Sequence, residues 1–277
     1  MTTNLPLRLL AAIVMAFALL PPARAADDQA EQERNKQDAV DRVVESHDFT
    51  MVLAAGRLYL KQSAIKSAQR LLGQWGRDNG LGLAWNEDAA QFQQAQAVLL
   101  DRAGALAARR FEQTTWIKET WSQYVAGQFN GEEADVIATH FQTEGGQLQR
   151  KLLDWYLGEM VMFNYAFTDR LDYNLRGAEP ELLALQKAAQ QRIPVEDIEF
   201  VSKYPETLNF VSRGAGLKYA KMLAIPLTGA LIRHIDAVSR EIEADMGGRR
   251  QEVQPYLDAF KPRWPLPPLR EALCGGG

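Results

Sequence analysis

Cysteine is almost absent. The one thiol, Cys274, sits in the terminal Leu-Cys-Gly-Gly-Gly of a 277-residue chain. A single thiol makes no internal disulfide and no metal-binding cysteine set, so the fold has to stand on packing. On a Gly-rich tail in an oxidising compartment such a thiol can pair between two chains or stay free, and a free thiol is the simpler expectation. Histidine is scarce as well. His47, His140 and His234 are all the imidazole there is, and none lies in Glu-x-x-His or His-Glu-x-x-His, the patterns of di-iron bundles and zinc proteases. Gly-x-Ser-x-Gly and the phosphate-binding glycine loop are missing, and no histidine neighbours Cys274. No catalytic residue set, metal or cofactor is therefore expected.

Basic charge is not in excess: Lys and Arg number 31 against 35 acidic side chains, a net charge of −4. That balance offers no footprint for nucleic acid and no polybasic surface for anionic lipid. Long apolar runs are missing beyond residue 25. The stretch 222–232 is too short, and too broken by Pro226 and Gly229, to be expected to span a bilayer.

What the chain does have begins at its start. Arg8 precedes the apolar run 9–20 (LLAAIVMAFALL), Pro21 and Pro22 follow, and Ala23-Arg24-Ala25 supplies the small-x-small pattern of a cleavage site. Residues 1–25 thus read as a signal peptide, and a periplasmic location, or alternatively secretion, is expected. Removing Arg8 and Arg24 with that segment leaves 29 basic against 35 acidic side chains on 252 residues.

The remainder is periodic at helical spacing, and the expected class is all-α: an irregular helical bundle built of antiparallel helix hairpins. An N-terminal helical region covers 26–85, with the glycine-rich stretch 73–85 (GQWGRDNGLGLAW) expected as a loop. A helical-bundle module covers 86–260, starting at an Asn86 cap, and a Pro/Gly-rich tail covers 261–277. Within the module a long helix is expected to run to about Gln128, bending near Thr114, and a short helix from Asn130 to end near Gly145-Gly146. The most apolar helix runs from Gln147 to about Leu175. Its stripe Leu148, Leu152, Tyr156, Met160, Phe163, Phe167 and Leu171, with Trp155, Leu157, Val161, Met162 and Tyr165 on other faces, makes it apolar nearly all round, which predicts a buried central helix. Further helices are expected at 180–192, 194–204 and from Pro205, with Pro226 interrupting before 227–246.

Residues 129–152, FNGEEADVIATHFQTEGGQLQRKL, carry an acidic helix start at Glu132-Glu133, then His140-Phe141, then Thr143-Glu144-Gly145-Gly146-Gln147. This segment resembles domain-of-unknown-function family 2059, whose hallmark is an acidic helix start, an aromatic pair and Ser-Pro-x-Gly-Gln opening the next helix. Here Thr143, Gly146 and Gln147 fit that turn, while His140 stands for an aromatic and Glu144 for the proline. The resemblance implies an exported helical protein and lends no activity. Seventy residues on, Phe210 to Leu217 line up with His140 to Gln147, placing Gly216 on Gly146.

Three sets of residues remain as sites. Glu133, His140 and Glu144 could share one helix face as metal ligands, but a capping role for the glutamates is the stronger expectation. Asp154 and Glu159 lie on the apolar helix, where pairing with arginine explains them better than acid chemistry. Trp116, Trp121 and Tyr124, with Trp155, Tyr156, Phe163 and Phe167, could line a groove for an apolar ligand or a sugar, flanked by Met160 and Met162; core packing accounts for the same residues. The expected function is a non-enzymatic interaction or envelope-maintenance role with a protein partner. The alternative is a carrier of a lipid or other apolar ligand, and an Asp/Glu/His-dependent hydrolase comes third.

Overall fold

The computed structural model describes residues 23–168, 170–172, 175–190 and 202–260. Residues 1–22 of the expected signal segment, most of the helix expected over 194–204 and the tail with Cys274 lie outside them. Among the described residues the fold is all-α, with no strand. The helices are α1 (Ala23–Glu45), α2 (Thr50–Asp78), α3 (Ala90–Arg110), α4 (Thr115–Gln128), α5 (Gly131–His140), α6 (Glu144–Phe167), α7 (Glu179–Gln190), α8 (Pro205–Ser212), α9 (Gly214–Met222), α10 (Thr228–Gly247) and α11 (Arg250–Ala259). They form two compact units, each assembled from three separate stretches of chain.

The first unit takes residues 1–47, 118–150 and 195–222. Among the described residues of α1, Ala39, Val40, Val43 and Val44 are buried, a stripe at steps of three and four on the helix that packs along α5. Lys36 Nζ donates to the Ala126 carbonyl at 2.7 Å, and Arg42 pairs with Asp135 at 2.7 Å. The core closes with Trp121, Val125, Phe129, Ile137, Phe141 and Tyr219. A polar chain runs through it: Trp121 Nε1–H donates to Tyr219 Oη at 3.0 Å, and Tyr219 Oη is hydrogen-bonded to His47 Nε2. Buried polar atoms are thereby satisfied without water.

The second unit takes residues 48–117, 151–194 and 223–277. Helix α2 is its axis, packed against α3, α7 and α10. Leu58, Ile65, Ala68 and Leu72 are buried at helical spacing along it, and Leu99 on α3 and Leu231 and Ile235 on α10 are buried as well.

Three expectations need correction. Helix α2 continues through Gly73 and Gly76 to Asp78 instead of giving way to a loop at 73. Gly76 is needed inside the helix: a Cβ there would overlap the Trp85 indole, whose Nε1–H donates to the Leu72 carbonyl at 2.9 Å. Asn86 does not cap a helix. It closes a turn, its side chain accepting from the Asp88 amide at 3.0 Å, and α3 starts later at Ala90. Pro226 does not break the chain's helical course either. Leu223–Leu227 form a widened i→i+5 turn that accommodates the ring, and the Thr228 hydroxyl takes up the Leu223 carbonyl at 2.7 Å. The helical run Gly214–Gly247 therefore spans 34 residues and by length and composition is long and apolar enough to cross a membrane. Leu227, Leu231, Ile235, Val238, Ile242 and Met246 along it are buried in the second unit.

Candidate functional site

From Lys151 on, helix α6 belongs to the second unit and is fixed there by a few specific contacts. Gly158 comes so close to Met51 of α2 that a Cβ would collide with it, and the Tyr165 ring lies on Tyr59 with centroids 3.8 Å apart and planes 4° from parallel. The buried Asp154 carboxylate accepts from the Asp48 amide at 2.9 Å. These anchors turn Trp155, Leu157, Val161 and Tyr165 inward. With steps of 3.6 residues per turn, the opposite face must then carry Tyr156, Met160, Phe163 and Phe167 outward.

That face is exposed, which overturns the expectation of a helix buried all round. Phe163 is 66 % exposed and Phe167 80 %, and their rings stack on each other at 5.8 Å. The apolar residues of α6 are numerous enough to cover its whole surface, but the second unit packs against only part of it. Ile225 in the widened turn is 76 % exposed. It lines an open groove of about 660 Å³ together with Phe163, Phe167, Glu159, Thr228, Gly229 and Ile232. Proteins rarely leave such residues side by side in water without a use for them, and widened turns recur at functional positions.

The aromatic set expected to line one site is divided by the structure. Tyr156 and Phe163 line this groove, together with Met160 and Met162. Trp155, on the same helix, points into the core, its ring edge-on to Tyr156 at 5.3 Å. Trp116, also in the second unit, stacks on His234 at 4.0 Å and donates from Nε1 to the Phe111 carbonyl at 2.8 Å. Trp121 and Tyr124 belong to the first unit, Trp121 as part of the polar chain to His47. Phe167, also among the aromatics expected to line a groove, does so. Ile225 is a groove residue that sequence reasoning did not select, although it lies within the apolar stretch 222–232.

The residues that carry the resemblance shape helix boundaries in the first unit. Asn130 and Glu133 form a reciprocal capping box, Asn130 Oδ1 accepting from the Glu133 amide at 2.8 Å and Glu133 Oε2 from the Asn130 amide at 3.1 Å. Glu133 also receives Lys218 Nζ at 2.8 Å; that ammonium and the Asn130 amide hold its carboxyl below the usual range. Helix α5 ends at His140, short of the expected Gly145-Gly146. Thr143 caps α6, its hydroxyl accepting from the Gly146 amide at 3.0 Å and donating to the His140 carbonyl at 2.8 Å. Glu144 then occupies the first helical position, which favours proline or an acidic residue equally well. A Cβ on Gly146 would overlap the His140 carbonyl oxygen, so only glycine fits the turn. Gln147 Nε2 reaches the Gln142 carbonyl at 3.3 Å, while Glu132 is exposed in the first turn of α5.

His140 itself is held in place on two sides. Its ring stacks on Phe210, and Nε2 is 2.7 Å from Gln149 Oε1. Gln149 Nε2 donates to the Thr207 carbonyl at 2.9 Å, so Oε1 is left as the acceptor and His140 Nε2 is the donor. Glu144 does not join it; its carboxylate accepts from the Tyr204 hydroxyl at 2.5 Å. Among the described residues no three His, Cys, Asp or Glu side chains are grouped to hold a metal ion.

Other recesses have less to offer. A polar groove of about 910 Å³ in the first unit runs past Lys36, Arg42, Asn130 and Asp135, all already engaged in the bonds above. A cavity of about 110 Å³ in the second unit, beside Leu60, Ala103 and Glu181, is smaller than the benzene-sized apolar cavities known in other proteins.

No protein-family model, curated protein or solved structure matches the chain.

Proposed function

We propose that the protein is an exported, non-enzymatic binding protein of the bacterial envelope that takes an apolar partner in the groove between α6 and the Leu223–Leu227 turn. The observation that carries this reading is the exposure of Phe163, Phe167 and Ile225 around a recess of about 660 Å³ in one compact unit. Removing apolar surface from water contributes roughly 25 cal/mol per Å², so three such side chains offer a partner several favourable contacts before any polar bond forms. Envelope location rests on the signal-like residues 1–25 and on the resemblance of residues 129–152. A role in catalysis finds less support, since His140 and His234 both serve in stacked, hydrogen-bonded packing.

One observation favours a second reading, a carrier of a lipid or other apolar ligand. The groove volume falls within the range of small-molecule sites, and Met160 and Met162 give it a pliable lining. Native mass spectrometry of protein purified from the compartment in which it accumulates separates the two. A protein or bare-chain mass supports the interaction role, and a stoichiometric lipid mass that is lost in Phe163→Asp supports the carrier.

A further inference from the structure

Phe260, directly after α11, marks where the chain leaves the second unit. Its ring stands edge-on to Trp85 at 5.2 Å, and Trp85 in turn covers Gly76 of α2. The groove lies further along the same helix. Gly158 meets Met51 and Tyr165 lies on Tyr59, so the groove segment of α6 runs beside residues 51–59. At about 1.5 Å per residue, those positions are about 26 to 38 Å along the α2 axis from Gly76. Residues 261–277, outside the described residues, continue from Phe260 as KPRWPLPPLREALCGGG. An extended chain advances about 3.3 Å per residue, so it crosses that interval between about Pro268 and Ala272.

The residues that arrive there match the groove in composition. Leu266, Leu269, Ala272 and Leu273 are apolar, and Pro265, Pro267 and Pro268 favour an extended backbone. Pro-rich segments of that kind dock in grooves lined by aromatic rings, and Tyr156, Phe163 and Phe167 provide such a lining. The charges are complementary as well. Glu159 lines the groove, and the Arg233 guanidinium lies 3.3 Å from the position a Cβ would take on Gly229. Arg270 and Glu271 bring one charge of each sign to the same place.

From this we infer that the groove is covered by the chain's own residues 266–273, which an outside partner has to displace. Tethered on the same chain, the segment meets the groove at an effective concentration of about 1 mM. A contact with a Kd of only about 0.1 mM then keeps the groove about nine-tenths filled. The inference rests on the reading of the groove as a binding surface and adds its regulation.

Titration of a neutral solvatochromic dye with the full chain, in reducing buffer, tests it against the double variant Leu269→Asp/Leu273→Asp. The parent is expected to bind the dye, and the tail variant to bind it about tenfold more tightly. Adding Phe163→Asp to the tail variant should abolish that gain, and the gain should not depend on protein concentration. Far-ultraviolet circular dichroism identifies any variant that loses its fold. Equal, Phe163-dependent binding by parent and tail variant overturns the inference and leaves the binding role standing. A gain that vanishes on dilution also overturns it, since the tail would then be filling the groove of another molecule. No Phe163-dependent binding by either chain defeats both the inference and the binding role.

Discussion

His140 stacks face to face on Phe210, ring centroids 3.9 Å apart and planes 8° from parallel. The two residues are counterparts in the faint internal echo, seventy positions apart, and they meet inside the first unit. Each is followed six residues later by a glycine whose Cβ would strike its own counterpart's carbonyl oxygen: Gly146 against His140, Gly216 against Phe210. The similarity of the two segments is thus one of geometry as well as letters. In both, a short helix turns into the next by bringing a bare Cα against a carbonyl.

That geometry sets a cost for adding one carbon. Gly146→Ala and Gly216→Ala push a methyl into backbone, which cannot rotate away, and each should destabilise the protein by about 2–3 kcal/mol. Gly104, in the middle of α3 with nothing within 4 Å of its missing Cβ, is the opposite case. Gly104→Ala should stabilise by about 0.5–1 kcal/mol through helix propensity alone. Thermal unfolding followed by circular dichroism reads both signs.

Tyr219→Phe removes the hydroxyl that links Trp121 to His47 in the core of the first unit. Shape is kept and two buried polar groups lose a shared partner, so a loss of about 1–3 kcal/mol is expected. Denaturant unfolding monitored at tryptophan fluorescence should show the midpoint fall. A midpoint equal to the parent's would mean that the hydroxyl link contributes nothing.

Acid should weaken the fold through two histidines. Burial holds both His140 and His234 below the ordinary imidazole value. Their folded-state values lie under the unfolded one, so the unfolded chain binds more protons in between. The stability they contribute is complete above the unfolded value of about 6.5 and is lost as pH falls through the folded values. Melting temperature should therefore drop from pH 7.5 towards pH 5, and His140→Gln should flatten part of that slope. A melting temperature that stays level over this interval contradicts the assignment.

Much of the fold was legible because helical spacing and caps are local. Asn130 with Glu133, and Pro205 opening α8, were readable three or four residues at a time. What could not be read locally was which apolar face meets a neighbour. Phe163 and Val161 look alike in the sequence, and only the anchors at Gly158, Tyr165 and Asp154 decide that one faces water and the other the core. The same limit hid the role of Gly76, whose reason lies in Trp85 nine residues on, and the passage of a helix through Pro226, which depends on the Thr228 hydroxyl. The exposed groove is the consequence of a choice made in tertiary packing.

The central claim is that the α6 groove is a binding surface for apolar partners. Fluorescence of a neutral solvatochromic dye, titrated with the protein, tests it most directly. Saturable, blue-shifted emission from the parent chain, weakened at least about tenfold in Phe163→Asp and in Ile225→Asp and unchanged in Leu83→Asp, at a fully exposed leucine outside the groove, is the expected result. Emission indifferent to all three substitutions, or absent from the parent chain, would contradict the account.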